Sequence, residues 1–132
     1  MPLDVALQGR TYDEMPFVVE PERVRAFADA VSHRTGGVPP TFVTVAEHAA
    51  GVASVIADTE LGLDFARVVH GEQEYEWHRS MRAGETLRVA TTIESIRGRG
   101  AMEFLTLRTD LRDVDGALVA TARSTLIVRG AS

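Results

Sequence analysis

The stretch VPPTFVTVAEHAAGVASVIAD, residues 38–58, decides how the rest of this chain must fold. Pro39 and Pro40 stop any helix arriving from upstream, and Thr41 is placed to offer its side-chain oxygen to the free amides of a first turn. Nothing breaks the run before Asp58, so it reads as one long helix. At about 100° per residue, Phe42, Val45, Ala46, Ala49, Val52, Ala53, Ile56 and Ala57 share one face, and Thr44, Glu47, His48, Gly51, Ser54 and Asp58 share the other. The apolar face is expected to be buried. Most of its side chains are small, so another surface can lie close along the whole helix, roughly 25 Å at about 1.5 Å per residue.

That surface comes from the C-terminal half, where the apolar period changes from about 3.6 to about 2 at Val68. In VVHGEQEYEWH, residues 68–78, Val69, Gly71, Gln73, Tyr75 and Trp77 alternate with His70, Glu72, Glu74, Glu76 and His78. This predicts a half-buried strand with bulk on one face and charge on the other. Gly84 in MRAGE marks a turn, Leu87, Val89, Thr91 and Ile93 alternate through a strand reaching Ile96, and RGRG, residues 97–100, closes it. Met102 to Leu111 forms a third long strand. Asp115-Gly116 is a hairpin signal, and Leu118, Ala120, Ala122, Leu126 and Val128 line one face of the last strand.

Upstream of the helix the signals are shorter. Residues 1–16 read as an arm, with Tyr12 its bulky group; Phe17 to Glu20 is a short β-rich run. Pro21 opens a first helix over about residues 21–32, with Val24, Phe27, Ala28 and Val31 at helical spacing. HRTGGVPP, residues 33–40, carries two glycines and two prolines and must be a loop. The expected fold is α+β: an antiparallel sheet of about five strands wrapped around one long central helix, the hotdog arrangement, as a single domain over residues 1–132.

The bulk numbers exclude several functions. No uninterrupted apolar run nears the ~20 residues of a membrane span. MPLDVALQGR lacks the basic-then-apolar order of a secretory signal, so a cytoplasmic protein is expected. With no cysteine the chain has neither disulfides nor thiolate chemistry, and its four histidines are too scattered to suggest a metal site. The net charge of −5 argues against nucleic-acid binding. All 14 basic residues are arginine, which suits planar contacts with carboxylates or phosphates.

Three segments together carry a resemblance: PPTF at the helix start (Pro39 to Phe42), RVVHGEQEYEWHRSMRAGETL (Arg67 to Leu87) and DGALVATARSTLIVRG (Asp115 to Gly130). The chain resembles the MaoC-like dehydratase N-terminal domain family from about Gly9 to Gly130. That family includes the non-catalytic subunits of heterodimeric (3R)-hydroxyacyl-carrier-protein dehydratases. The resemblance implies reversible dehydration of a 3-hydroxyacyl thioester of coenzyme A or acyl carrier protein, with no cofactor. It also implies a homodimer or a heterodimer with a catalytic MaoC-like protomer. Catalytic members place an Asp and a His, as D-x-N-P-x-H, in an overhang before the central helix; this chain has HRTGG there, and residues 31–39 are too few for the usual overhang. The resemblance therefore implies the non-catalytic partner, shaping the acyl tunnel. It also places Thr41 and Phe42, at the helix start, and His70 and Glu72, in HGEQ, beside the substrate path.

The residues themselves leave alternatives. Dehydration needs a base for the C2 proton, an acid for the departing hydroxyl and an N–H donor for the thioester carbonyl. The helix start can supply the donor. His33 and Glu47, fourteen apart, have a spacing similar to the His-to-acid spacing of the bacterial fatty-acid hotdog dehydratases, and would serve a self-sufficient homodimer; equally, both are simply solvated. Glu47 as a thioesterase base and a non-enzymatic acyl-binding hotdog are further options. His48 reads as a surface or interface residue, His70 and Glu72 as structural partners at an interface, and His78 as solvent-facing. Tyr75 and Trp77 read as core or interface anchors. Arg97 and Arg99 belong to a solvated turn, or meet the acidic surface or phosphate of a carrier.

Overall fold

The structure is a computed structural model and is described here for residues 2–130. Five antiparallel strands form one sheet in the order β1-β3-β4-β5-β2: β1 Met15–Val18, β2 Val68–Trp77, β3 Thr86–Arg99, β4 Met102–Arg112 and β5 Leu118–Arg129. A short helix α1, Pro21–Ala30, precedes the central helix α2, Pro40–Ala57. The hotdog arrangement is therefore present. The first strand lies slightly upstream of the expected Phe17–Glu20, because Met15 to Val18 pair with Val89 to Thr86. The arm continues that edge of β3: Thr11 bridges Thr92, and Tyr12 N–H donates to the Thr91 carbonyl at 2.9 Å.

The sequence places α2 correctly but not its buried face. Phe42, Ala46 and Val52 are buried as expected, while Ala49, Ala53, Ile56 and Ala57 are exposed and Val45 is half-buried. Val43, Ala50 and Val55 are buried instead, together with Glu47 and Gly51 from the face read as polar. Two features turn the helix. It opens with a 3₁₀ turn, Pro40–Phe42, and its middle, Glu47–Val52, is π-helical, so a uniform 100° step does not hold along its length. Closest approach to the sheet occurs at Gly51, where a β-carbon would stand 2.4 Å from Thr91 Oγ1 and 3.1 Å from Thr109 Cγ2. Only a residue without a side chain fits there, and facing it inward carries Glu47, one turn earlier, into the core.

Two apolar clusters flank this point. One surrounds the helix start, with Phe17, Val24, Phe42, Val43, Leu87, Val89, Leu111 and Ala120; the other surrounds its end, with Leu3, Val55, Leu61, Ile93, Leu105, Leu107 and Val128. Between them lies a buried polar layer of Glu47, Thr91, Thr109 and Ser124. Thr91 and Thr109 hydroxyls satisfy each other at 2.7 Å. By length and composition α2 alone would span a membrane, yet its sheet-facing side is built into this core.

The strand alternation survives except at two bulges. Register shifts at Glu94, between Ile93 and Ser95, which explains why Ile93 and Ile96 both face α2. It shifts again at Gly71 in β2. A β-carbon on Gly71 would meet Ile127 Cδ1 at 2.8 Å, so the bulge needs glycine. Consequently His70 lies opposite Leu126, on the helix side, and Glu72 opposite Thr125, on the other; they do not share one face as strict alternation predicts. Strand β2 is terminal in the sheet and pairs only with β5, leaving its other edge open.

Candidate functional site

The functional question centres on the start of α2 and the strand beside it. Pro39 and Pro40 set the entry. Pro40 has no N–H, Phe42 N–H donates to the Pro39 carbonyl at 2.9 Å, and Val43 N–H donates to Pro40. Thr41 therefore supplies the N–H that remains for a carbonyl at this helix start. Its side chain is exposed and does not cap the helix; Pro39 stands at the cap position, with no side-chain bond, so the expected Thr41 cap is corrected. Phe42 is fully buried, its ring 5.4 Å from Phe27 edge-on and 6.2 Å from Phe17, and it anchors the helix start in the core.

Glu47 is fully buried rather than solvated. Ser124 Oγ lies 2.6 Å from Glu47 Oε2 and 2.6 Å from Gln73 Oε1, while Gln73 Nε2 donates to Glu47 Oε2 at 3.2 Å. Three side chains thus close a ring across α2, β2 and β5. Ser124 has one hydroxyl hydrogen to give, and the Gln73 amide presents its oxygen to Ser124 and its nitrogen to Glu47. No arginine or histidine enters the ring. Sequence offered a signal for it: Gln73, Thr91, Thr109 and Ser124 all fall at inward positions of their strands, and so many inward polar groups need a polar partner on the helix.

His33 is fixed by the end of α1. Ser32 adopts φ 58°, His33 N–H donates to the Ala28 carbonyl at 2.8 Å, and Ser32 N–H to the Asp29 carbonyl at 3.3 Å, the paired bonds of a Schellman end. The half-buried imidazole then turns into its own loop, with Nε2 3.0 Å from the Gly36 carbonyl and 3.3 Å from Thr35 Oγ1. His33 and Glu47 make no hydrogen bond to each other, and each is engaged by other groups. His70 and Glu72 are exposed at the β2 bulge, and His48 is exposed on α2. Among the described residues no three His, Asp or Glu side chains converge as a metal site would require.

Strand β2 is fastened to α2 by polar contacts at every second residue. Gln73 meets Glu47, the Tyr75 hydroxyl bonds the Thr44 hydroxyl, and Trp77 Nε1 donates to the Pro40 carbonyl at 2.9 Å. Burial pushes the Tyr75 phenol above its ordinary value, against the opposing bond from Thr44. Tyr75 and Trp77 stack at a tilt, 5.4 Å between centroids. Just beyond, Arg79 grips Glu85 with two bonds, 2.7 and 3.0 Å, and reaches Asp113 at 3.4 Å, tying the turn after β2 to the β4–β5 hairpin. The Arg79 hydrogen bond holds the Glu85 carboxyl below its usual range. Sequence reading missed this clamp, since Arg79 and Glu85 meet across a turn and Asp113 lies 34 residues from Arg79.

The arrangement offers an N–H donor at Thr41, a satisfied carboxylic ring deep behind it, and an open strand edge at its flank. A family model described as FAS1-like, dehydratase domain region, matches residues 6–122. A UPF0336 protein of Saccharopolyspora erythraea is 38% identical over 147 residues, covering 98% of this chain and 94% of that protein. The matched length exceeds the 132 residues of this chain, so that relative carries residues with no counterpart here. One chain of the C-terminally truncated HadBC (3R-hydroxyacyl-ACP dehydratase) complex from Mycobacterium tuberculosis has TM-score 0.72 and 25% identity, covering 92% of this chain and 96% of that one. A MaoC-like dehydratase has TM-score 0.81 and 24% identity over 96% of this chain and 43% of its own, a likeness of fold.

Proposed function

The chain belongs to the FAS1-like dehydratase-region family, and from that premise we propose that it is the non-catalytic protomer of a (3R)-hydroxyacyl-thioester dehydratase or enoyl hydratase. A catalytic MaoC-like partner supplies the Asp-His pair in the cytoplasm. One observation carries this reading: the helix start presents the Thr41 N–H, while the candidate acid and base, Glu47 and His33, are each bonded elsewhere and not to one another. A thioester carbonyl needs such a donor near a helix start, where the dipole favours developing negative charge. Proton transfer needs a free pair within reach of C2 and C3, and that pair is assigned to the partner.

The open edge of β2 is the natural joint. An unpaired edge strand exposes backbone donors and acceptors, and continuing the sheet into a second hotdog satisfies them. Trp77, 44% exposed, and the bulge residues His70 and Glu72 would then face the joint and the substrate path. HadBC is itself a complex of hotdog chains, which supports a two-protomer assembly here. The acyl group would ride on coenzyme A or acyl carrier protein.

Co-purification with a catalytic MaoC-like protomer tests this, following hydration of an enoyl thioester by loss of its conjugated absorbance. No turnover is expected from the chain alone, and turnover is expected from the pair. Turnover by the lone chain that disappears in His33→Ala would instead establish the self-sufficient homodimer.

A further inference from the structure

The outer face of the sheet, away from α2, carries a basic and apolar surface around the β3–β4 turn, where Arg97 and Arg99 lie. We propose that it docks an acidic carrier protein, which brings the acyl group on its flexible arm; this rests on the acyl-thioester reading above.

Register defines the surface. Arg99, Met102 and Arg129 are direct cross-strand partners and form one row; Arg97, Phe104, Ile127 and Val69 form the next. Their neighbours along the strands, Leu105, Leu126 and Val128, are buried against the helix side, so these two rows point outward. Met102 is 41% and Val69 44% exposed, and Phe104 and Ile127 are half-buried, which leaves an apolar strip between arginines. Further along the same face Arg123 pairs with Glu94 at 3.2 Å and Arg108 with Asp110 at 3.4 Å, and the exposed Glu72, Glu74 and Glu76 of β2 make that part acidic. Arg97, Arg99 and Arg129 are exposed and take part in no ion pair among the described residues. Three arginines outside any ion pair among the described residues are thus grouped at one end of a chain whose net charge is −5. An open hollow of about 640 Å³, lined by Arg67, Arg129, Met102 and Gly130 and also by Asp64 and Glu103, adjoins the rows.

The matching occupant presents carboxylates around a few apolar side chains, and charge complementarity of this kind sets encounter rate and partner choice. Position argues for the same occupant. The start of α2 lies at the Trp77 end of β2, whereas this surface lies at the Val68 end. If a second protomer pairs antiparallel along the open β2 edge, its own helix start comes to the Val68 end. Arg129 then stands about 5 Å, and Arg99 about 15 Å, from the joint at the usual strand spacing. Docking here would therefore set the carrier at the end of the joint where the partner's helix start lies, with the flexible arm passing round the strand ends to the helix side.

The test uses the complex with its catalytic partner. Arg97→Glu/Arg99→Glu is expected to weaken binding of fluorescently labelled holo carrier protein, read by anisotropy, by about tenfold or more, with strong salt dependence in the wild type. KM for the carrier-linked enoyl substrate should rise with kcat held, and KM for the coenzyme A-linked substrate should not change. The milder Arg97→Gln/Arg99→Gln, with Met102→Asp separately, guards against misfolding and should weaken carrier binding in the same direction. Unchanged carrier binding in folded variants overturns the proposal; an equal rise of KM for both substrates also does, and assigns the arginines to coenzyme A phosphates. Carrier binding that depends on the arginines, in a complex without turnover, leaves the docking surface standing and removes the dehydratase reading instead.

Discussion

The two ends of the central helix are held by opposite kinds of chemistry. At its start, neutral groups of the edge strand reach across: the Tyr75 hydroxyl to Thr44 and the Trp77 indole to the Pro40 carbonyl. At its end, Asp58 Oδ2 accepts from the Tyr12 hydroxyl at 2.6 Å and from Arg10 Nη1 at 2.9 Å, and Arg10 also holds Glu60 at 3.1 Å. The end is locked by charge to the chain's own arm. The start is bound by weaker bonds to the very strand whose other edge is open to a partner. The charged polar fastening of the helix thus lies at its end, away from the Trp77 end of β2.

The contrast can be broken or sharpened by mutation, beginning at the ring between the ends. Glu47→Ala strips two buried polar side chains of their partner and opens a cavity, at an expected cost of about 3 kcal/mol in urea unfolding. Glu47→Gln keeps the side chain's size and a hydrogen-bonding group facing Ser124 and Gln73, so it should cost less, about 1 kcal/mol; a loss as large as that of the alanine variant would rule out the ring as described. At the helix end, Tyr12→Phe removes a bond to a carboxylate and should cost about 2 kcal/mol. Tyr75→Phe, at the start, removes a neutral bond and should cost about 1 kcal/mol. Equal losses at the two tyrosines would erase the distinction between the ends.

The smallest expected effect is a pH slope. The Tyr12 hydrogen bond, ahead of the contribution from Arg10, holds the Asp58 carboxyl below its ordinary value of 3.8. A carboxyl with a lowered folded value contributes stability that is present above its unfolded value and lost as pH falls through the folded one. Acid titration of unfolding should therefore show a loss beginning below about pH 4 that Asp58→Asn removes. Tyr75→Phe should leave that slope in place.

Much of this architecture was legible in the residues. Two prolines, an unbroken run to Asp58 and the change of period at Val68 gave the helix and the strands, because each is a local property of the chain. The buried face of the helix was not legible, because it depends on how near the sheet comes, and Gly51 against Thr91 and Thr109 decides that from three separated segments. The same holds for Glu47, whose partners lie 26 and 77 residues downstream. Glycine alone did not reveal the bulge at Gly71; the crowding by Ile127 that requires it comes from the far strand. Of the site, the N–H at the helix start followed from the prolines, whereas the inward turn of the His33 ring follows from the Schellman end that Ser32 forms without glycine.

The π turn has one further consequence. A turn closed by i→i+5 bonds holds one residue more than an α-helical turn over the same rise. Removing a single residue from the π segment, Glu47–Val52, would let ordinary i→i+4 bonding run through. The two halves of the rod would then keep nearly the same angular setting, because the extra residue is what the wider turn absorbs. The helix in effect stores one residue at its middle, so a change of one residue in length there can be taken up without re-aiming the PPTF end or unseating the Val55 end.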